Sequence, residues 1–183
     1  SYSNLDQKGV MPEGQLVRNT INVNSNYNLS DKLKSTVSFS YINTEVNNRN
    51  VTGYANANPL QGFTQWWQSQ LDVERLKNQQ TTTEGNQYSW NTKGITNDDN
   101  GVLQSYNPTI NYFDNPYWVR ENYLQNDVKN RLFGNANLSY EINDDFTIAT
   151  QFGTDLFQFS IVEGIPFGSV VGSRYEETER RFQ

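Results

Sequence analysis

Residues 20–41 alternate apolar and polar positions almost one for one on both sides of a short polar turn. In "TINVNSNYN", Ile21, Val23 and Tyr27 share one parity against Asn22, Asn24 and Asn26. In "LKSTVSFSY", Val37, Phe39 and Tyr41 stand against Thr36, Ser38 and Ser40. A period of two marks a strand whose two faces differ. The linker "NLSDK" supplies turn residues, so strands near 15–27 and 33–45 form a first hairpin, residues 15–45.

A second hairpin, residues 123–159, follows the same rule. Along 129–140, Leu132, Ala136, Leu138 and Tyr140 alternate with Phe133, Asn135, Asn137 and Ser139. Along 146–159, Phe146, Ile148, Phe152 and Leu156 alternate with Ala149, Gln151, Gly153 and Asp155, and "EINDD" makes the turn. A loop at 160–172 then leads to a fifth strand, 173–183, starting near Ser173 and reading as cut short at Gln183. Residues 46–122 show little alternation and are rich in Gly and Asn. One helix is predicted there, near 60–77, because Phe63, Trp67 and Leu71 fall on one helical face; Trp66 lies about 100° away and is expected to be partly exposed.

So long a connection counts against a compact soluble domain. It suits a sheet with short turns on one rim and elaborate loops on the other. The polar face is made of Asn, Ser, Thr and Gln, not the Lys and Glu usual on a water-facing sheet, which fits a wet enclosed interior. The prediction is therefore an all-β, antiparallel transmembrane β-barrel segment of about five strands, with long extracellular loops and one short helix. Ile21, Val23, Val37, Phe39, Leu138, Ile148 and Phe152 are expected to face lipid, with Tyr27, Tyr41 and Tyr140 as interfacial aromatics at strand ends. The alternative is a soluble all-β carbohydrate-binding or adhesion module with its apolar faces packed into a sandwich.

Composition sharpens the choice. Hydrophobic residues make up 34% of the 183, and exchanging the 11 Tyr for the 12 Gly leaves that share about the same. Globular chains reach about 45–50% on the glycine-inclusive count, so a two-layer core would be hard to fill without the aromatics. The net charge of -6 argues against nucleic acid as a partner. Cysteine and histidine are absent, which removes disulfides, thiolate metal sites and the commonest general base. No apolar run approaches the length of a transmembrane helix. The start "SYSNLDQKG" reads as a mature chain or a piece of something longer.

Candidate chemistry is sparse. Trp66, Trp67, Trp90, Tyr117 and Trp118 could stack on sugar rings or anchor a partner protein, or else pack the loops together. Asp98 and Asp99 in "NDDNG" could offer oxygens to calcium, but lack the spacing of a calcium loop and read as a turn. Glu176, Glu177 and Glu179, with Asp155, read as a charge run beside Arg174, Arg180 and Arg181, not as a glycosidase pair. No catalytic, cofactor-binding or metal-ligating residue is expected, and no enzyme.

Two long runs, "SYSNLDQKGVMPEGQLVRNTINVNSNYNLSDKLKSTVSFSY" and "DNPYWVRENYLQNDVKNRLFGNANLSYEINDDFTIATQFGTD", resemble barrel segments of the SusC/RagA-like TonB-dependent transporters. "FTQWWQSQLDVERLKN" is similar to an extracellular-loop helix of that family. The resemblance implies a plugged outer-membrane barrel of about 22 strands. It implies import of large solutes such as oligosaccharides or peptides, a SusD-like lipoprotein as lid, and energy from the TonB complex through an N-terminal box. Plug, box and signal peptide are not seen in this sequence, so the resemblance implies a segment from the middle of the barrel. Its partners would be the remainder of that barrel and outer-membrane lipid.

Overall fold

A computed structural model describes residues 1–55, 58–97, 103–170 and 176–182. The strands in chain order are β1 (Tyr2–Lys8), β2 (Gln15–Asn28), β3 (Leu33–Asn47), β4 (Thr92–Asn97), β5 (Leu103–Ile110), β6 (Leu124–Asn143), β7 (Phe146–Ile165) and β8 (Glu176–Phe182). Six of them form one antiparallel sheet in the order β1-β2-β3-β6-β7-β8, and β4 pairs with β5 separately. The chain is all-β, and its main sheet is open along β1 and β8 among the described residues.

Six main strands replace the five expected. β1 escaped the sequence pattern because Tyr2 and Leu5 differ in parity; its pairing with β2 from Tyr2↔Ile21 to Lys8↔Gln15 makes it a strand. β6 and β7 also run past the predicted limits. Beyond Leu156 the alternation breaks, since Phe157, Phe159 and Ile161 fall on the parity that carries Gln151 and Asp155. The start of the last strand near Ser173 lies outside the described residues.

The turns are built locally. Asn143 Oδ1 accepts from the Asp145 and Phe146 amides at 3.1 and 2.9 Å, an Asx turn that reverses the chain between β6 and β7. Ser30 Oγ accepts from the Lys32 and Leu33 amides before β3. Both turns lie on one rim. The other rim carries the β1–β2 turn 9–14 and the longer connections 48–123 and 166–175, so the long connections all lie at one end of the sheet.

Register decides which residues share a face, because directly opposed residues of paired strands point the same way. Ile21, Tyr41, Leu132 and Leu156 form one continuous cross-strand row. Val23, Phe39, Gly134 and Thr154 form the next, then Ser25, Val37, Ala136 and Phe152, then Tyr27, Ser35, Leu138 and Thr150. Leu33, Tyr140 and Ile148 close the set. Every residue expected to face lipid therefore lies on one face. The opposite face presents Asn22, Asn24 and Asn26 beside Ser40, Ser38 and Thr36, then Asn135 and Asn137.

Among the described residues no second protein layer covers the middle of the apolar face. Ile148, Phe152 and Leu156 are 61%, 63% and 62% exposed. From Phe146 to Leu156 the band runs about 33 Å along β7, or about 25 Å in height at a barrel-like tilt of about 40°. Tyr27, Tyr140 and Phe146 edge it on the short-turn side, Tyr2 and Tyr41 on the other. Tyr41 thus marks an edge of the band, not the end of β3, which continues to Asn47. Gly134 lets β6 approach Phe39: a Cβ there would lie 2.5 Å from the Phe39 ring and 2.8 Å from its Cα.

The helix expected over 60–77 is three pieces. A turn α1 (Pro59–Gln61) runs into a π-helical turn (Gly62–Trp66), Trp67 is extended at ψ 136, and α2 (Val73–Asn78) starts afresh. Asn58 Oδ1 caps α1 through the Leu60 amide at 3.1 Å, and Asp72 Oδ1 caps α2 through the Arg75 amide at 3.0 Å. Thr64 Oγ1 bonds back to the Leu60 carbonyl at 3.0 Å, diverting polar groups from the helical ladder. An apolar stripe of three residues gives too little packing to hold a longer helix. A third helix, α3 (Pro116–Asn122), was not expected.

Candidate functional site

The described connections on the long-loop rim form one body at that end of the sheet, fastened on its polar side. Its organising pair is Asp114–Asn115. Asn115, fully buried, caps α3 by accepting from the Tyr117 and Trp118 amides at 2.9 and 3.4 Å. Its Nδ2 donates to the Leu76 and Tyr88 carbonyls at 2.8 and 3.0 Å, and its amide donates to Gln87 Oε1 at 2.6 Å. One side chain thus fixes α2, α3 and the segment near Tyr88. Asp114 accepts from Gln87 Nε2, Tyr123 OH, Ser169 Oγ and the Val170 amide at 2.6–3.1 Å. The segment after β7 is thereby locked to the segment before β6. Burial pushes the Tyr123 phenol above the usual tyrosine range.

Two arginines fasten this body to the wall. Arg120, buried on α3, donates to Pro12 O through Nε and Nη2 at 3.0 Å each, to Asn48 O at 2.5 Å and to Arg49 O at 3.5 Å. It joins the β1–β2 turn to the exit of β3, and desolvation lowers its pKa. Arg49 lies 3.0 Å from Asp127 Oδ2 on β6 and 2.6 Å from Glu163 Oε1 on β7. Burial alone would lower the Arg49 pKa, but the two carboxylates outweigh it and raise it. Asp127 and Glu163 share the parity of Asn135 and Gln151, so the fastening is on the polar side. Ile165, of that parity too, packs against the Trp118–Val119–Tyr123 cluster.

The aromatic candidates divide. Trp66, Trp67 and Trp90 come together through two phenylalanines: Phe63–Trp67 at 4.6 Å, Trp67–Trp90 at 6.0 Å, Trp90 stacked on Phe113 at 5.7 Å and 9°, and Trp66–Phe113 at 6.2 Å. Trp66 is 49% exposed and presents the open face of this cluster. Trp118 is 8% exposed and meets Tyr123 edge-on at 6.3 Å, which is a packing position; Tyr117 stands half-buried on α3. Asp98 and Asp99 lie outside the described residues. Among the described residues no three acidic groups come together as a metal would need.

Beside this body lies a groove of about 720 Å³ between residues 82–87, 108–110 and 167–170, with Asn86, Gln87, Asn122, Trp118 and Phe167 on its walls. Its amides and aromatic surface can bind a polar solute by hydrogen bonds and stacking, and Glu84 adds one carboxylate to the lining. Sequence reasoning missed Asp114, Asn115, Arg49 and Arg120. The signal for the first two was legible, because Asn before Pro is a helix start; the arginines carried none. Comparisons with protein-family models and with curated proteins return no match.

Proposed function

We propose that these strands form part of the wall of an outer-membrane active transporter, with the apolar face outward in lipid and the amide-rich face lining a hydrated lumen. The observation that carries the reading is the uncovered apolar band. It runs about 33 Å along β7, edged by aromatics on both sides, on a sheet with its two shortest turns at one rim and its long loops at the other. The fastening of the loop body on the polar side supports the same orientation, since loops that fold over a lumen lean toward its wall. On this reading the sheet is part of a closed barrel completed by further strands.

The step from barrel to transporter rests on the resemblance to SusC/RagA-like proteins. The loop body then meets the solute, an oligosaccharide or peptide, and a SusD-like lipoprotein; the TonB complex supplies the energy. No bond is made or broken; the mechanism is binding and gated passage.

Fractionation tests this. Expressed in an outer-membrane host, the protein is expected in the outer-membrane fraction, soluble only with detergent and heat-modifiable on gels. A cooperative detergent-free monomer would instead support a soluble carbohydrate-binding or adhesion module.

A further inference from the structure

Directly above the apolar band, on the same face, the sheet carries an unbroken row of amides across five strands. Asn4 opposes Asn19, Asn19 opposes Asn43, Asn43 opposes Asn130, and Asn130 opposes Gln158. At about 4.8 Å between strands the row is about 19 Å wide. It is held in shape: Asn4 Nδ2 and Tyr2 OH both donate to Asn19 Oδ1 at 2.8 Å. Tyr41 OH and Asn43 Nδ2 donate to Asn130 Oδ1 at 2.9 and 3.0 Å. Asn19 Nδ2, Asn43 Oδ1 and Asn130 Nδ2 take no part in these bonds, so the row offers alternating donors and acceptors outward.

Cations are few on this face. On β1, β2, β3, β6 and β7 the cations Arg18, Lys34, Lys129 and Arg131 all have the inward parity; the outward parity holds Lys8, two rows above the amides, and, on β8, Arg181 opposite Ser160. The row between holds Asp6, Val17, Glu45, Val128, Ser160 and Arg181. Anionic headgroups are recognised by clustered Lys and Arg; a single arginine at the β8 end of the row is no such cluster, and the two carboxylates beside it in that row disfavour them. Amides placed in hydrocarbon would be costly, so the row belongs one step above it, at headgroup height.

We propose that this row is a docking belt for the neutral, polyhydroxylated headgroups of glycolipids in the outer leaflet. Sugar hydroxyls donate and accept as the amides do, and need no charge on the protein. The proposal rests on the outward orientation argued above.

The test reconstitutes the protein into vesicles of phosphatidylcholine alone, with digalactosyldiacylglycerol, or with phosphatidylglycerol, and follows thermal unfolding by heat-modifiable migration. The galactolipid is expected to raise the midpoint by about 2–4 °C, and the anionic lipid not to. The gain should vanish in the Asn43→Leu/Asn130→Leu variant and persist in Asn137→Leu, on the inward face. Equal midpoints in all three lipids, or an undiminished gain in the double variant, overturn the belt. If the double variant does not fold, the three-lipid comparison with the unaltered protein decides alone. Copies that cross-link through Asn43→Cys regardless of lipid assign the row to a second copy and also overturn it. Failure to enter any vesicle overturns the membrane reading together with the belt, whereas entry without lipid preference overturns only the belt.

Discussion

Replacing Phe152 by arginine and, separately, its neighbour Gln151 by arginine places the same charge on opposite faces of one strand. Phe152 is six residues from Phe146 and four from Leu156, the limits of the band on β7. With about 3.3 Å per residue and a tilt of about 40°, it sits about 15 and 10 Å from the two edges, close to the midplane. An arginine there costs about 2–4 kcal/mol on the lipid face of a barrel. That is a shift of about 30- to 1,000-fold in the folded ratio. On the proposed orientation the same side chain at Gln151 reaches a wet lumen, and the expected cost is within about 0.5 kcal/mol. Both residues are exposed in the sheet taken alone, so a difference requires something covering one face, and the proposed cover is lipid. Folded, heat-modifiable protein in outer membranes and urea unfolding from vesicles give the two numbers. Equal losses for the two variants would refute the assignment of inside and outside.

Gly134→Ala is expected to destabilise the sheet by about 1–3 kcal/mol, since the new methyl meets the Ser38 carbonyl oxygen and the Phe39 ring and Cα, and Gly134→Ala/Phe39→Ala should recover only the ring's share; unfolding midpoints measure both. Asn115→Ala removes the α3 cap and leaves the Leu76 and Tyr88 carbonyls unserved, at about 1–3 kcal/mol. Limited proteolysis should then cut within residues 73–122 while the wall stays resistant. Arg49→Gln leaves Asp127 and Glu163 without their shared cation; because Arg49 is 33% exposed, the cost is about 1–2 kcal/mol, below that of a fully buried pair. The expected readout is earlier proteolysis near residue 50 at unchanged strand content. Trp66→Ala, at the open face of the aromatic cluster, should leave folding intact, checked by circular dichroism, while Trp118→Ala should cost about 3 kcal/mol or more.

The hairpins of the wall were readable because each strand's parity is written residue by residue. Asn143 and Ser30 likewise mark turns through local hydrogen bonds. The loop body was not readable in the same way. Its only continuous helical pattern, Phe63–Trp67–Leu71, gave way to a π turn and an extended Trp67, because Thr64 and Asp72 bond to nearby backbone and little packing opposes them. β5 contains Pro108, and β1 has no alternation, so both depend on a partner strand. Trp118 and Trp66 look alike in sequence, yet one is buried beside Tyr123 and the other stands open.

By itself the sequence determined the parity of each wall strand, the short turns at one rim and the scarcity of apolar residues for a second layer. These are local properties, set by side-chain period and turn chemistry. The tertiary structure decided how the parities of five strands align into one apolar band and one amide row. It also decided that Asp114, Asn115, Arg49 and Arg120 tie the long connections into a single body on the polar side. Register and the closing of contacts between residues about 70 positions apart depend on pairing, and pairing is a property of two segments that neither carries alone.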